Sequence, residues 1–144
     1  MNNISRRGFL GSVLAVAASV VVPKAAEAAT WFKVASTSYF SIGKPRIVGL
    51  RIVSATKSVL DKNGYPMSIY RTSTGVYSYY PQCSRDFRPL VVKGKNLYCP
   101  ICHSNFNPRT GGPIWPAPAT RALRKYTVRI RSGQVQVALT RSGY

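Results

Sequence analysis

The thiol and imidazole groups of this 144-residue chain are few, three cysteines and one histidine, and all four fall in two short stretches. The first, Gln82 to Pro89, contains Cys83; the second, Leu97 to Gly112, contains Cys99, Cys102 and His103 in the run Cys99-Pro100-Ile101-Cys102-His103. Thiolate and neutral imidazole are the donors that hold zinc, iron and iron–sulfur clusters, so their concentration in two loops points to a metal or iron–sulfur site. A single histidine cannot supply a two-histidine, one-carboxylate iron centre, which excludes that kind of oxygenase chemistry. A redox-active Cys99–Cys102 disulfide is the other use of this spacing, but no helix-starting pattern follows Cys102 as that chemistry would need.

The segments that must position these loops read as short strands. Trp31 to Val34 and Pro45 to Val53 are rich in β-branched and aromatic residues, Asp61-Lys62-Asn63-Gly64 is a hairpin-type turn, and Met67 to Arg71 and Val76 to Tyr80 follow. Between the cysteine loops, Leu90-Val91-Val92, a turn at Lys93 to Asn96 and Leu97-Tyr98 predict a small hairpin that would bring both loops to one end of a sheet. Pro113 to Pro118 cannot be a central strand, because proline donates no ladder hydrogen bond, and is predicted as a stiff surface loop. Lys125 to Ile130 and Gln134 to Leu139 alternate with period two around Arg131-Ser132-Gly133, a terminal hairpin. No amphipathic helix, repeat or low-complexity linker interrupts this pattern. The expected domain is all-β, spans residues 29–144 and has its site in about residues 81–118.

Residues 1–28 have a different idiom. Ser5-Arg6-Arg7-Gly8-Phe9-Leu10, an apolar run to Pro23 and Ala26-Glu27-Ala28 are the parts of a twin-arginine (Tat) export signal, expected to be helical, with a Sec signal as the alternative. The apolar run is short for a membrane span, so cleavage and release to the periplasm or outside are expected, with an uncleaved anchor as the variant. Charge sharpens the picture. The chain carries 21 Lys+Arg against three acids, a net charge of +18, and only Asp61 and Asp86 lie beyond the signal. Such a surface attracts anionic partners, and does so less at high salt. Because the basic residues are spread without a nucleic-acid-binding motif, the expected partner is not nucleic acid but an acidic redox protein, such as a cytochrome or a catalytic oxidoreductase subunit, or an anionic membrane surface.

The two loops resemble the two boxes of Rieske iron–sulfur proteins. Cys99-Pro100-Ile101-Cys102-His103-Ser104-Asn105-Phe106 is similar to Cys-Pro-x-His-Gly-Ser-x-Phe, and Cys83-Ser84-Arg85-Asp86-Phe87-Arg88-Pro89 to Cys-Thr-His-x-Gly-Cys-Pro. Asn107 to Gly112 resembles the Asp-Pro-x-x-Gly-Gly turn that follows, and the likeness extends over roughly Trp31 to Leu139; its flavour is nearest the small Rieske subunit of arsenite-oxidase-type enzymes. The resemblance implies a [2Fe-2S] cluster with two cysteines on one iron and two histidines on the other. The departures are specific. Arg85 and Cys102 stand where the family has its histidines, and Arg88 and Ile101 where many members have a disulfide.

Three readings of the site follow. A [2Fe-2S] cluster could be held by Cys83, Cys99, Cys102 and a fourth group, with His103 first, Arg85 second and Asp86 third in order of expectation; a thiolate in place of a histidine lowers the potential, and Arg85, Arg88 and Arg109 would partly offset that. A single zinc or iron ion could be held by Cys83, Cys99, Cys102 and His103, although zinc ligands usually come as two close pairs and Cys83 stands alone. The loops could also hold no metal, leaving a basic secreted binding domain. Ser104 matches the family serine that hydrogen-bonds a cluster sulfur. Tyr77, Tyr79 and Tyr80 read as sheet residues, Trp115 as a cover or partner contact, and Asp86 as a local ion-pair partner of Arg85 or Arg88. The expected function is an exported electron-transfer protein, or the iron–sulfur subunit of an oxidoreductase, not a catalyst by itself.

Overall fold

A computed structural model of the protein describes residues 29–139; the signal expected over residues 1–28 lies outside them. Eleven strands form three antiparallel sheets, and the described residues contain no α-helix, only a single 3-10 turn at Thr37–Tyr39. Strand β1 (Thr30–Ser36) pairs with β11 (Gln134–Leu139), which pairs with β10 (Thr127–Arg131). A second sheet has the order β3 (Lys57–Leu60), β2 (Arg46–Ser54), β4 (Tyr65–Arg71), β5 (Val76–Tyr79). The third is a small meander of β6 (Val91–Lys93), β7 (Asn96–Tyr98), β8 (Asn105–Phe106) and β9 (Pro113–Ile114).

Two apolar clusters divide the work. Phe32, Val34, Phe40, Leu50, Met67, Ile69, Val135 and Val137 are buried between the first two sheets, and the alternation along β11, where Val135 and Val137 are fully buried, shows why this hairpin was legible as period two. Tyr79, Leu90, Leu97, Phe106, Ala119 and Leu123 form the second cluster around the third sheet, and the side chains of Cys83 and Cys99 belong to it. Fully burying a residue such as Phe106 or Leu97 contributes about 1.5–3 kcal/mol, so the cysteines sit on the wall of a packed core rather than on a free loop.

Two expectations need correction. Asp61 to Gly64 is not a hairpin turn: it connects β3 to β4, which are separated by β2, and the loop folds back over β2. The Asp61 amide donates to the Gly49 carbonyl at 3.0 Å, and a side chain at Gly49 would meet the Asp61 carbonyl oxygen at 2.1 Å, so glycine is required there. The proline segment begins with a paired stretch, since Pro113 and Ile114 form the short edge strand β9 against β8. The edge is where a missing N–H costs least.

Candidate metal centre

Each cysteine stretch folds into the same hydrogen-bonded turn. In the first, the Phe87 amide donates to the Cys83 carbonyl at 3.0 Å and the Cys83 amide to the Arg88 carbonyl at 2.8 Å. In the second, the His103 amide donates to the Cys99 carbonyl and the Cys99 amide to the Ser104 carbonyl, both at 2.9 Å. The fifth residue of each turn is left-handed, Phe87 with φ 54° and His103 with φ 63°. Those are the two positions at which the Rieske patterns carry glycine, so the backbone path is kept although the residue that suits it is not. A non-glycine residue there costs about 1–2 kcal/mol. The Phe87 ring is 67% exposed and has little packing to lose, so Phe87→Gly should raise the urea midpoint by an amount worth about 0.5–1 kcal/mol after glycine's greater chain entropy is counted. An unchanged or lower midpoint would contradict the strain.

The β6–β7 hairpin joins the turns and brings them face to face. One ligand atom from each of Cys83, Asp86, Cys99 and Cys102 lies within 4.8 Å of every other. Cys83 Sγ and Cys102 Sγ are 3.6 Å apart, and Cys99 Sγ stands 4.0 Å from Asp86 Oδ2. Cys83 and Cys99 are fully buried, Cys102 and Asp86 partly so. All three cysteines are free thiols, and Cys99 and Cys102 are not joined.

Ser104, fully buried, ties the second turn to the core. Its hydroxyl oxygen accepts from the Ala119 amide and from the Cys102 thiol, both at 3.0 Å. The thiols differ in acidity. Burial pushes Cys102 up to about 11, against the lowering effect of Ser104. Burial also works against the Cys99 thiolate, but the amides of Cys102 and Ile101 and the neighbouring thiols outweigh it and hold Cys99 below its ordinary value.

The remaining candidates are placed elsewhere. The imidazole of His103 is exposed, with Nδ1 hydrogen-bonded to the Tyr98 hydroxyl, and it does not join the four donors. Arg85 is exposed and lines a shallow cavity of about 300 Å³ with Ser84, Phe87, Pro118, Thr120 and Arg121. Asp86, third among the expected fourth groups, is the one that stands with the sulfurs. Nor does it pair with Arg85 or Arg88: among the described residues the ion pair is Arg51–Asp61, at 3.0 Å. The signal that could have singled it out is spacing, since Cys83-x-x-Asp86 repeats Cys99-x-x-Cys102. Tyr79 packs as a sheet residue, buried, with its hydroxyl donating to the Arg109 carbonyl at 2.9 Å; Trp115 is 88% exposed.

No model of a known protein family matches the sequence, and no curated protein does. Solved structures do. A chain from the complex of reduced oxygenase and oxidized ferredoxin in carbazole 1,9a-dioxygenase is 25% identical, with a TM-score of 0.55, over 77% of this chain and 94% of that one. The ferredoxin of carbazole 1,9a-dioxygenase from Nocardioides aromaticivorans IC177 is 24% identical, also with a TM-score of 0.55, over 77% and 99%. Dicamba monooxygenase bound to dicamba matches at 19% identity and a TM-score of 0.51, over 75% of this chain but 31% of its own. The chain has a Rieske-type fold.

The donors can be tested against the group that this fold implies. Three thiolates and a carboxylate suit iron or zinc. They do not reproduce the Rieske arrangement of two cysteines on one iron and two histidines on the other. Cys83 and Cys102 occupy positions assigned to different irons, yet their sulfurs are as close as two ligands of a single ion.

Proposed function

We propose that this protein is a small electron-transfer protein in which iron is held at the facing loop tips by Cys83, Cys99 and Cys102. The observation that carries the reading is the convergence of three otherwise unused sulfurs on the wall of a Rieske-type core. Thiolate-bound iron exchanges single electrons between its ferric and ferrous states. The chain's own groups would do the rest. Burial of Cys83 and Cys99 keeps water from the sulfurs, and Ser104 fixes the Cys102 side chain. Phe87, 67% exposed, and Ile101, 61% exposed, lie on the turns themselves and offer apolar contact beside the centre.

The partner would be an acidic oxidoreductase component. Two features support this: the net charge of +18, and the likeness to a structure in which a ferredoxin is complexed with an oxygenase. Export by the twin-arginine route, as a soluble carrier or as the iron–sulfur subunit of a larger enzyme, would place it in the periplasm or outside. Absorption and electron paramagnetic resonance spectra of protein from anaerobic expression test the role. The expected result is a coloured, iron-containing protein that is bleached reversibly by dithionite. Folded, colourless, iron-free protein would eliminate the carrier and leave a basic binding module on a Rieske-type scaffold.

A further inference from the structure

The structure assigns Cys83, Asp86, Cys99 and Cys102 as a single four-coordinate site for one metal ion, with Asp86 as the fourth ligand. This rests on the reading that the facing loops bind metal, and it specifies how many ions they hold and by which atoms.

The first argument is the equivalence of the two turns. Each presents ligand atoms from its first and fourth residues, Cys83 with Asp86 and Cys99 with Cys102, and each closes with matching hydrogen bonds and a left-handed fifth residue. Two short pairs, each separated by two residues and brought face to face, are the usual way a chain surrounds one tetrahedral ion. Cys83 therefore does not stand alone, as the sequence had suggested.

The second argument is size. Metal–sulfur bonds of about 2.3 Å at tetrahedral angles put ligand sulfurs about 3.8 Å apart. The 3.6 Å between Cys83 and Cys102 and the 4.0 Å between Cys99 and Asp86 are close to that edge, and with every pair within 4.8 Å the four atoms need draw in by no more than about 1 Å to close on one ion. A two-iron core would have to stand between Cys83 and Cys102 and drive them apart.

Charge supplies the third. Only two acids lie beyond residue 28, and Asp61 is engaged by Arg51. The other, in a chain of net charge +18, faces three thiols and not one of its neighbouring arginines. A half-buried carboxylate set among sulfurs, with no basic side chain of the described residues paired to it, lacks the counter-charge that a bound cation would supply.

The test is metal analysis and acid-labile sulfide on the full chain purified anaerobically, followed by titration of metal-free protein with Co(II). One ion per chain without labile sulfide, and Co(II) ligand-field bands of tetrahedral type, are expected. Asp86→Ala should weaken Co(II) binding by on the order of a hundredfold or more. Asp86→Cys should keep one ion and strengthen the thiolate-to-cobalt bands, while His103→Gly, which leaves the turn's backbone undisturbed, should change neither count nor bands. Two irons and two sulfides per chain would overturn the single-ion site while leaving the electron carrier standing. One zinc per chain would support the site and remove the carrier, whereas absence of any metal affinity would remove both.

Discussion

Serine in place of Cys83 is expected to reduce metal content from full occupancy to near zero, and the same change at Cys99 should do the same. Both sulfurs are fully buried on the second core cluster, so neither can be replaced as a ligand by a side chain swinging in from solvent. A serine hydroxyl at neutral pH is not the anionic donor that a metal takes from a thiol. The loss should also appear in stability. A ligand that binds only the folded chain adds about 4 kcal/mol when present at a thousand times its dissociation constant. The wild-type protein should therefore lose on the order of 10 °C or more of melting temperature on chelation, and the two variants should melt like the chelated wild type with or without added metal. Circular dichroism separates this from misfolding, since each variant should keep the β spectrum. Full metal content in both variants would refute the assignment of these loops as a metal centre.

How much of this could be read from the residues depends on the range over which the relevant forces act. The terminal hairpin was legible because one face of β11 packs on the core, through buried Val135 and Val137 and partly buried Leu139, which enforces alternation. Strand β3 escaped notice: Lys57 to Leu60 has four residues, none fully buried, and it is held by pairing to β2 instead of by a core face. The two loops were recognisable through Cys83, Cys99 and Ser104, whose types match a known pattern. Asp86 was underweighted because that pattern directs attention to its neighbour Arg85. Only the folded turn, which sets the Asp86 carboxylate beside the sulfurs and leaves Arg85 exposed, distinguishes the two. His103 was the chemically obvious fourth donor, but it occupies the left-handed position that closes the turn and is directed to Tyr98.

The contact that fixes the small sheet to the larger one predicts the second large effect. Gly111 has φ +71°, and a β-carbon there would stand 2.4 Å from the ring of Tyr79 on β5. Its amide donates to the Asn107 carbonyl at 2.7 Å and its carbonyl accepts from Leu123 at 2.8 Å, so the backbone is held on both sides and cannot retreat from the ring. The Tyr79 hydroxyl donates to Arg109 in the same loop. Gly111→Ala therefore combines left-handed strain of about 1–2 kcal/mol with overpacking of about 1–3 kcal/mol. The sum, roughly 2–5 kcal/mol, is a large share of the 5–15 kcal/mol that holds a domain together. Because the loop follows β8, which follows the second cysteine turn, the variant is expected to bind metal more weakly as well as to unfold in less urea. Tyr79→Phe keeps the ring and gives up one hydrogen bond, at about 1 kcal/mol, and should not relieve the clash. Tyr79→Leu frees space beside Gly111, so in the double variant with Gly111→Ala the alanine should cost less than it does alone. Strict additivity of the two changes would show that the ring does not press on this loop, and the tie between the small sheet and the larger one would have to lie elsewhere.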